Sequence, residues 1–283
     1  MVSVQHHRDG SINVPFWEFR PWRDGEALDE LINRIATEYH LGARRCATYM
    51  DPSDYRVLLT DAPDVPEAEI NEAMRWRIKD LVDFDVIRAA IESFAFAGTT
   101  GHADQQQRYV VVAEEQALQR RILQLEQAGV NIEVVDVPEL AIRNLAQRAA
   151  GDVATGMLTL NDTYGLLTLT RGATLYMSRV INIGTNDLAN AADRRPLLDN
   201  IVAEVQRSLD YFASHFRQDT IEQLLLAPLP LHLPGMDEYF GGRLGVDVRG
   251  VQLETLAHWQ QPLESEAAPR CAMTFGVALR QLH

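Results

Sequence analysis

The chain has 283 residues, 46% of them hydrophobic and 23% charged, which is enough material for one large domain or two lobes around a real core. Forty acidic residues against 26 basic ones give a formal net charge of -14. A field of that sign repels phosphate backbones and anionic lipid surfaces, so nucleic acid is not an expected partner. The two cysteines, Cys46 and Cys271, lie far apart in apolar stretches and form neither a metal motif nor a disulfide framework. No apolar run approaches the ~20 residues that span a bilayer. Met1 to Gly10 has no hydrophobic centre and does not read as a signal peptide, so no direct membrane insertion is expected.

Taken in chain order, Val2 to Phe19 reads as two extended segments around the turn Asp9-Gly10-Ser11. Gly25 to Tyr39 is helical, with Leu28, Leu31, Ile32 and Ile35 at helical spacing and Gly42 as its stop. Cys46 to Met50 is a short strand and Tyr55 to Thr60 another. A helix is predicted over Glu67 to Val82, with Ile70, Met74, Ile78 and Leu81 on its apolar stripe. Strands follow at Ile91 to Phe96 and Tyr109 to Ala113. A helix around Leu118, Ile122 and Leu125 is closed by Gly129, Ile132 to Val137 is a strand, and Pro138 opens a helix. After the flexible stretch Gly151 to Gly156 come three strands, Met157 to Leu160, Gly165 to Thr170 and Ala173 to Ile183. A long amphipathic helix carries Leu198, Ile201, Val205, Leu209, Phe212 and Phe216. Strands at Gln223 to Ala227 and Leu244 to Val248, and a helix over Met273 to Leu282, complete the chain. The two halves share a weak similarity in the order of elements, without a repeat in sequence.

Three segments carry a family resemblance. The first is Ala-Pro-Asp-Val-Pro at 62–66 with Ala-Met-Arg-Trp-Arg-Ile-Lys-Asp-Leu-Val-Asp-Phe at 73–84. The second is Val-Asp-Val-Pro-Glu-Leu-Ala-Ile-Arg-Asn-Leu at 135–145, after Gln-Leu-Glu-Gln-Ala-Gly at 124–129. The third is Leu-Leu-Thr-Leu-Thr-Arg-Gly at 166–172 with Glu-Val-Gln-Arg-Ser-Leu-Asp-Tyr-Phe at 204–212. In this order they resemble the PilM/MshI group of type IV pilus biogenesis proteins, the second name belonging to mannose-sensitive haemagglutinin pili. The resemblance implies an α/β, actin-like (ribonuclease H-like) fold of two lobes with an inserted α+β subdomain. The first lobe is expected at 1–51 and 132–150, the insertion at 52–131 and the second lobe at 151–283. It also implies a cytoplasmic protein held at the inner membrane by a bitopic partner of the PilN or MshJ type. That partner's cytoplasmic tail is expected in a groove beside the insertion. Self-association is a further expectation, because actin-like folds often pair.

Actin-like ATPases hold ATP and Mg2+ between the lobes on glycine-rich hairpins, where backbone N–H groups approach the phosphates. Here the first strand and its phosphate hairpin are expected to be missing, since nothing of that pattern precedes Val2 to Phe19. At the second hairpin the acid-x-Gly pattern is replaced by Leu160-Asn161-Asp162, with Thr163 and a bulky Tyr164 next to it. Asp162 and Thr163 are the cofactor-binding candidates if nucleotide binds at all; a plain turn aspartate is the alternative. The third, base-binding turn is replaced by the proline- and leucine-rich run 228–234, which is expected to fill the adenine space. The sequence therefore reads as a scaffold with a degenerate ATPase site, no catalytic residues and no metal or other cofactor, with a nucleotide-dependent switch as the alternative.

The partner-binding candidates are Arg75, Trp76, Lys79, Asp83 and Trp17. Trp76 falls ~240° around the helix from Ile70, outside the apolar stripe and among charges. That placement suits an interface anchor, with packing against a neighbouring lobe as the alternative. Trp17 belongs to Phe-Trp-Glu-Phe-Arg-Pro-Trp at 16–22, which is either an exposed sheet edge open to strand addition or part of the core.

Overall fold

A computed structural model describes residues 1–22, 25–98, 106–216, 220–231, 233 and 235–280. The chain opens with a hairpin, β1 (Gln5–His6) against β2 (Ile12–Val14). Its turn is tied by Asp9, whose Oδ1 accepts from the Ser11 amide and hydroxyl, and Gly10 takes the left-handed φ of 80° that the turn requires. The ribbon continues outward through a Val2–Trp17 bridge. Helix α1 (Leu28–Glu38) ends at His40, whose φ of 52° stops it before the predicted Gly42. Leu31 faces the core while Leu28 is exposed. Strand β3 (Cys46–Tyr49) then leads into a three-stranded antiparallel sheet, the inserted sheet, of β4 (Tyr55–Asp61), β5 (Ala89–Ala95) and β6 (Gln107–Glu114) in the order β4-β6-β5.

The helix predicted over Glu67 to Val82 is shorter. One 3-10 turn, Glu67–Glu69, leads into α2 (Ile70–Arg77), which ends at Ile78. Ile70, Met74 and Ile78 pack on the sheet as the stripe required, but Leu81 lies beyond the helix and is exposed. Past the end of α2, the Arg75 guanidinium donates to the carbonyls of Val86 and Ala89, at 3.0 Å for the latter, and ties the helix to the returning chain.

Helix α3 (Glu115–Gln127) and α1 cover the parallel pair of β3 and β7 (Ile132–Asp136), with Leu125, Ile32, Ala36, Cys46 and Ile132 in one cluster. Helix α4 (Pro138–Ala150) follows. The C-terminal sheet consists of β8 (Thr155–Leu160), β9 (Gly165–Arg171), β10 (Thr174–Ile181), β11 (Gln223–Leu226) and β12 (Asp247–Gly250). Its order is β10-β9-β8-β11-β12, an antiparallel meander joined through β8 to two parallel strands. Every residue of β8 is buried, including Thr155 and Thr159, so both faces of the strand are covered and burial does not alternate along it. Leu158 and Leu160 point toward α6 (Arg195–His215), which follows the short helix α5 (Thr185–Asn190), whereas Met157 points toward α4 and the closing helix α8 (Ala268–Ala278).

The predicted strand at Leu244 to Val248 is the end of a helix, α7 (Met236–Leu244), a stop at Gly245 with φ of 67°, and then β12. A two-residue strand, β13 (His258–Trp259), pairs in parallel with β2 and joins the C-terminal segment to the opening hairpin. The β1-β2-β13 and β3-β7 groups are separate sheets.

Helices α4 and α8 touch backbone to backbone. A Cβ added at Gly276 would stand 2.3 Å from the carbonyl oxygen of Ala141, an approach no side chain tolerates. Gly276→Ala is expected to force the helices apart and cost about 1–3 kcal/mol. That corresponds to a fall of several degrees in Tm, read by thermal melting, with Gly242→Ala, which meets open space, as the mild control.

Candidate functional site

A cleft of about 450 Å³ lies between the N-terminal half and the C-terminal sheet. Tyr49, Asp51 and Pro52 line one side and the β8–β9 turn, residues 161–164, the other, with Arg121 of α3 and Arg270 and Met273 of α8 completing it. The cleft continues past Pro230, Pro269 and Arg270 into a larger cavity of about 700 Å³, beneath the loop that follows β11. Leu229, Leu231 and Leu233 of that loop line this cavity and also pack against the core of the C-terminal sheet. His232 and Pro234 lie outside the described residues.

Asp162 is at the tip of the turn. Both of its carboxylate oxygens accept from Arg270 Nη1 at 3.2 Å. The turn's own carbonyls are used as well. Asn161 O accepts from the Thr185 amide at 2.8 Å and Asp162 O from the Asn186 amide at 3.0 Å. The approach is so close that a Cβ on Gly184 would lie 2.4–2.5 Å from the backbone of Asp162 and Thr163. Thr163 is an exposed member of the same turn, and Tyr164 stands half-buried behind it against the α4–α8 core. Arg270, Arg121 and the Tyr55–Glu139 pair described next carry no local motif, and sequence reasoning passed over all of them.

Behind the cleft, Glu139 in the first turn of α4 is buried. The Tyr55 hydroxyl at the start of β4 donates to its Oε2 at 2.6 Å. Burial pushes the Glu139 carboxyl above the ordinary carboxylate range, against the opposing effect of that hydrogen bond. Burial, with Glu139 adding to it, also pushes the Tyr55 hydroxyl up. The neighbouring Asp136, also buried, is met by Arg280 at 3.2 Å and accepts from the Val137 amide at 2.9 Å.

The partner-binding candidates separate sharply. Trp76 is 59% exposed on the outer face of α2, so it does not pack against a neighbouring lobe. Lys79 is exposed in the turn that follows, beside Leu81 at 57% and, further on, Ile87 at 66% exposure. Asp83 lies on the same stretch and accepts from Arg56 at 3.2 Å through both oxygens. Arg75 faces the other way and is spent on the Val86 and Ala89 carbonyls and on Glu72. These bonds tie α2 to the chain at Val86 and Ala89. Trp17, only 8% exposed, is core. Its indole donates to the Pro262 carbonyl at 3.3 Å and packs with α4, α8 and β13 residues, so the aromatic segment 16–22 is no open strand edge at that position. Exposed aromatic surface in that segment comes from Phe19 and Trp22 instead.

The meander-plus-parallel sheet, its flanking helices and the insertion after β3 define an actin-like α/β protein. A chain of the PilM-PilN type IV pilus biogenesis complex has the same fold over almost the whole length, with a TM-score of 0.79 at 21% identity across 98% of this chain and 94% of that one. The cytoplasmic domain of EpsL, an inner membrane component of the type II secretion system of Vibrio cholerae, aligns at 10% identity over 90% of this chain and 82% of its own, with a TM-score of 0.48. A Bacteroides thetaiotaomicron protein of actin-like ATPase fold and unknown function aligns at 6% identity over 96% and 95%, with a TM-score of 0.49. No protein-family model and no curated protein matches the chain. No helix among the described residues is long and apolar enough to cross a membrane.

The raised carboxyl of Glu139 gives a pH signature. The folded state holds this proton more tightly than the unfolded chain, whose carboxyl titrates near ~4.3. Its favourable contribution is therefore complete below that value and is lost as pH rises toward the folded value. Glu139→Gln keeps an acceptor for the Tyr55 hydroxyl and cannot ionise. Its Tm relative to the parent should rise between about pH 4.5 and pH 8. A Tm difference that is the same at both ends would show that Glu139 does not titrate as its burial requires.

Proposed function

We propose that this protein is an actin-like scaffold of type IV pilus biogenesis, which binds the cytoplasmic tail of a bitopic inner-membrane partner of the PilN or MshJ type and so sits at that membrane without entering it. The observation that carries this reading is the match in fold, along nearly the full chain, to a protein solved in the PilM-PilN complex. The exposed surface of the insertion supports it. Trp76, Leu81 and Ile87 place three large apolar side chains within twelve residues, with Lys79 among them and Asp83 on the rim. Buried aromatic anchors carry much of the free energy of protein–protein contacts, and an exposed tryptophan among charges is suited to become one.

The proposed scaffold does not hydrolyse ATP. The carboxylate expected to face a magnesium ion, Asp162, is paired with Arg270, and the β8–β9 turn carries Asn161, Asp162, Thr163 and Tyr164 where close phosphate contact needs glycine. The proposed division is a first lobe at 1–51 and 132–150, an insertion at 52–131 and a second lobe at 151–283.

Two measurements decide the matter. A labelled peptide of the membrane partner's tail, titrated in fluorescence anisotropy, should bind at micromolar affinity or better. Trp76→Ala, at a solvent-exposed position, should weaken it at least tenfold, about 1.4 kcal/mol, without lowering Tm. No binding to the folded protein overturns the scaffold reading, and full affinity in Trp76→Ala moves the site elsewhere. Melting with millimolar ATP and Mg2+ should leave Tm unchanged. A ligand at 100 times its Kd stabilises by about 2.7 kcal/mol, so a clear upward shift would establish the nucleotide-dependent alternative.

A further inference from the structure

The inserted sheet has two faces, and each has a different task. Along a strand, alternate side chains point to opposite faces. Leu58, Ile91, Val110 and Val112 point one way and pack under α2. Tyr55, Val57 and Leu59 of β4 and Tyr109, Val111 and Ala113 of β6 point the other way, paired across the strands as Tyr55 with Ala113, Val57 with Val111 and Leu59 with Tyr109.

The two ends of this second face meet different parts of the molecule. At the Tyr55–Ala113 end, both side chains join Met50, Ala117 and Val137 in a buried cluster, and the Tyr55 hydroxyl reaches Glu139 of α4. This end is fixed to the N-terminal half. At the Leu59–Tyr109 end the contacts are to the C-terminal sheet and α6. Tyr109 stacks on Phe94 at 5.5 Å between centroids and meets Phe96 edge-on at 6.0 Å. Phe96 meets Tyr176 of β10 at 5.5 Å and 87°, and Phe216, just past α6, at 5.7 Å. Tyr176 in turn meets Phe212 and Phe216, each at 5.2 Å. Leu59 and Phe96 pack directly against the core of the C-terminal sheet. The four-residue step between the two rungs is about 13 Å at the rise of an antiparallel strand.

From this we infer that the inserted sheet is a strut, which holds the N-terminal half and the C-terminal sheet at one fixed separation and keeps the cleft between them from opening as a hinge. A hydrogen-bonded three-stranded sheet does not stretch, and its two ends are fastened by different chemistry. One end is a buried phenol–carboxylate hydrogen bond. The other is the Phe96 ring, edge-to-face on Tyr176 and tilted on Phe216, aromatic contacts each worth about 0.5–1.5 kcal/mol beyond the area they bury. Among the described residues the buried Tyr109 hydroxyl has no hydrogen-bond partner, and its ring lies against Phe94 and Phe96. This inference does not depend on the tail-binding proposal.

The test is a distance distribution. Spin labels at Asn33→Cys on α1 and Asn200→Cys on α6, both exposed, in a Cys46→Ala, Cys271→Ala background, report the separation of the two halves by pulsed electron resonance. The parent should give one narrow distribution. Phe96→Ala, which releases the aromatic end, should at least double its width, and Tyr55→Phe, which releases the other, should widen it as well. If Phe96→Ala fails to fold, Tyr55→Phe decides alone. A parent distribution that is already broad or two-peaked overturns the strut, as does a width unchanged in the folded variants.

Discussion

The crossing of α4 and α8, where Gly276 lets one helix backbone rest on Ala141 of the other, is the contact on which the remaining geometry depends. Both helices lie between the N-terminal hairpin and the C-terminal sheet, in a single cluster with Val14, Trp17, Met157, Leu166, Leu225 and Phe275. Each presents its important side chain in its first turn. α4 begins at Pro138, so Glu139 emerges where the inserted sheet starts, within reach of Tyr55. α8 begins at Ala268, so Arg270 emerges at the mouth of the cleft, within reach of Asp162. Wider spacing of the helices would move both groups away from their partners together.

Much of the fold was legible because local rules suffice for it. The apolar residues Met157, Leu158 and Leu160 of β8, the alternation of Leu166 with Leu167 in β9, the helical spacing from Leu198 to Phe216 and the Pro138 start each follow from one element and its local pattern. The hairpin at Asp9-Gly10-Ser11 follows from turn chemistry alone. Trp76 was placed on an outer face by helical angle, and it is there. The same reasoning misjudged Leu81, which lies beyond the end of α2, where Arg75 reaches ten and more residues along the chain to Val86 and Ala89. For Trp17 the sequence left a sheet edge and the core open, and the structure places it in the core. The strand that covers its neighbourhood, β13, comes from more than 240 residues away, as the bond to Pro262 shows.

The candidate site was the least legible part. Its decisive pairs, Arg270 with Asp162 and Tyr55 with Glu139, are separated by 108 and 84 residues. Neither makes a motif, and an arginine after a proline at a helix start reads as an ordinary first-turn residue. The leucines of the run 228–234 line a cavity and also pack on the core of the C-terminal sheet, and a single segment does not reveal how a side chain is shared between two such neighbours.

The strut and the exposed face of α2 belong to the same subdomain, and this gives the insertion a coherent role. One face of its sheet is committed to fastening the two halves, and the other is sealed by α2, whose outer side carries Trp76. A surface mounted on a sheet anchored at both ends is pre-organised. A partner then meets it without the ordering cost of about 0.5–1.5 kcal/mol per immobilised side chain that a mobile surface imposes. A nucleotide switch asks for the opposite arrangement. Two states of the cleft must differ in energy by no more than the ligand's differential affinity can supply. Each aromatic contact and the phenol–carboxylate bond raises the energy of an open state. Under the proposed scaffold reading, the strut and the Arg270–Asp162 pair act in the same direction, toward a single conformation.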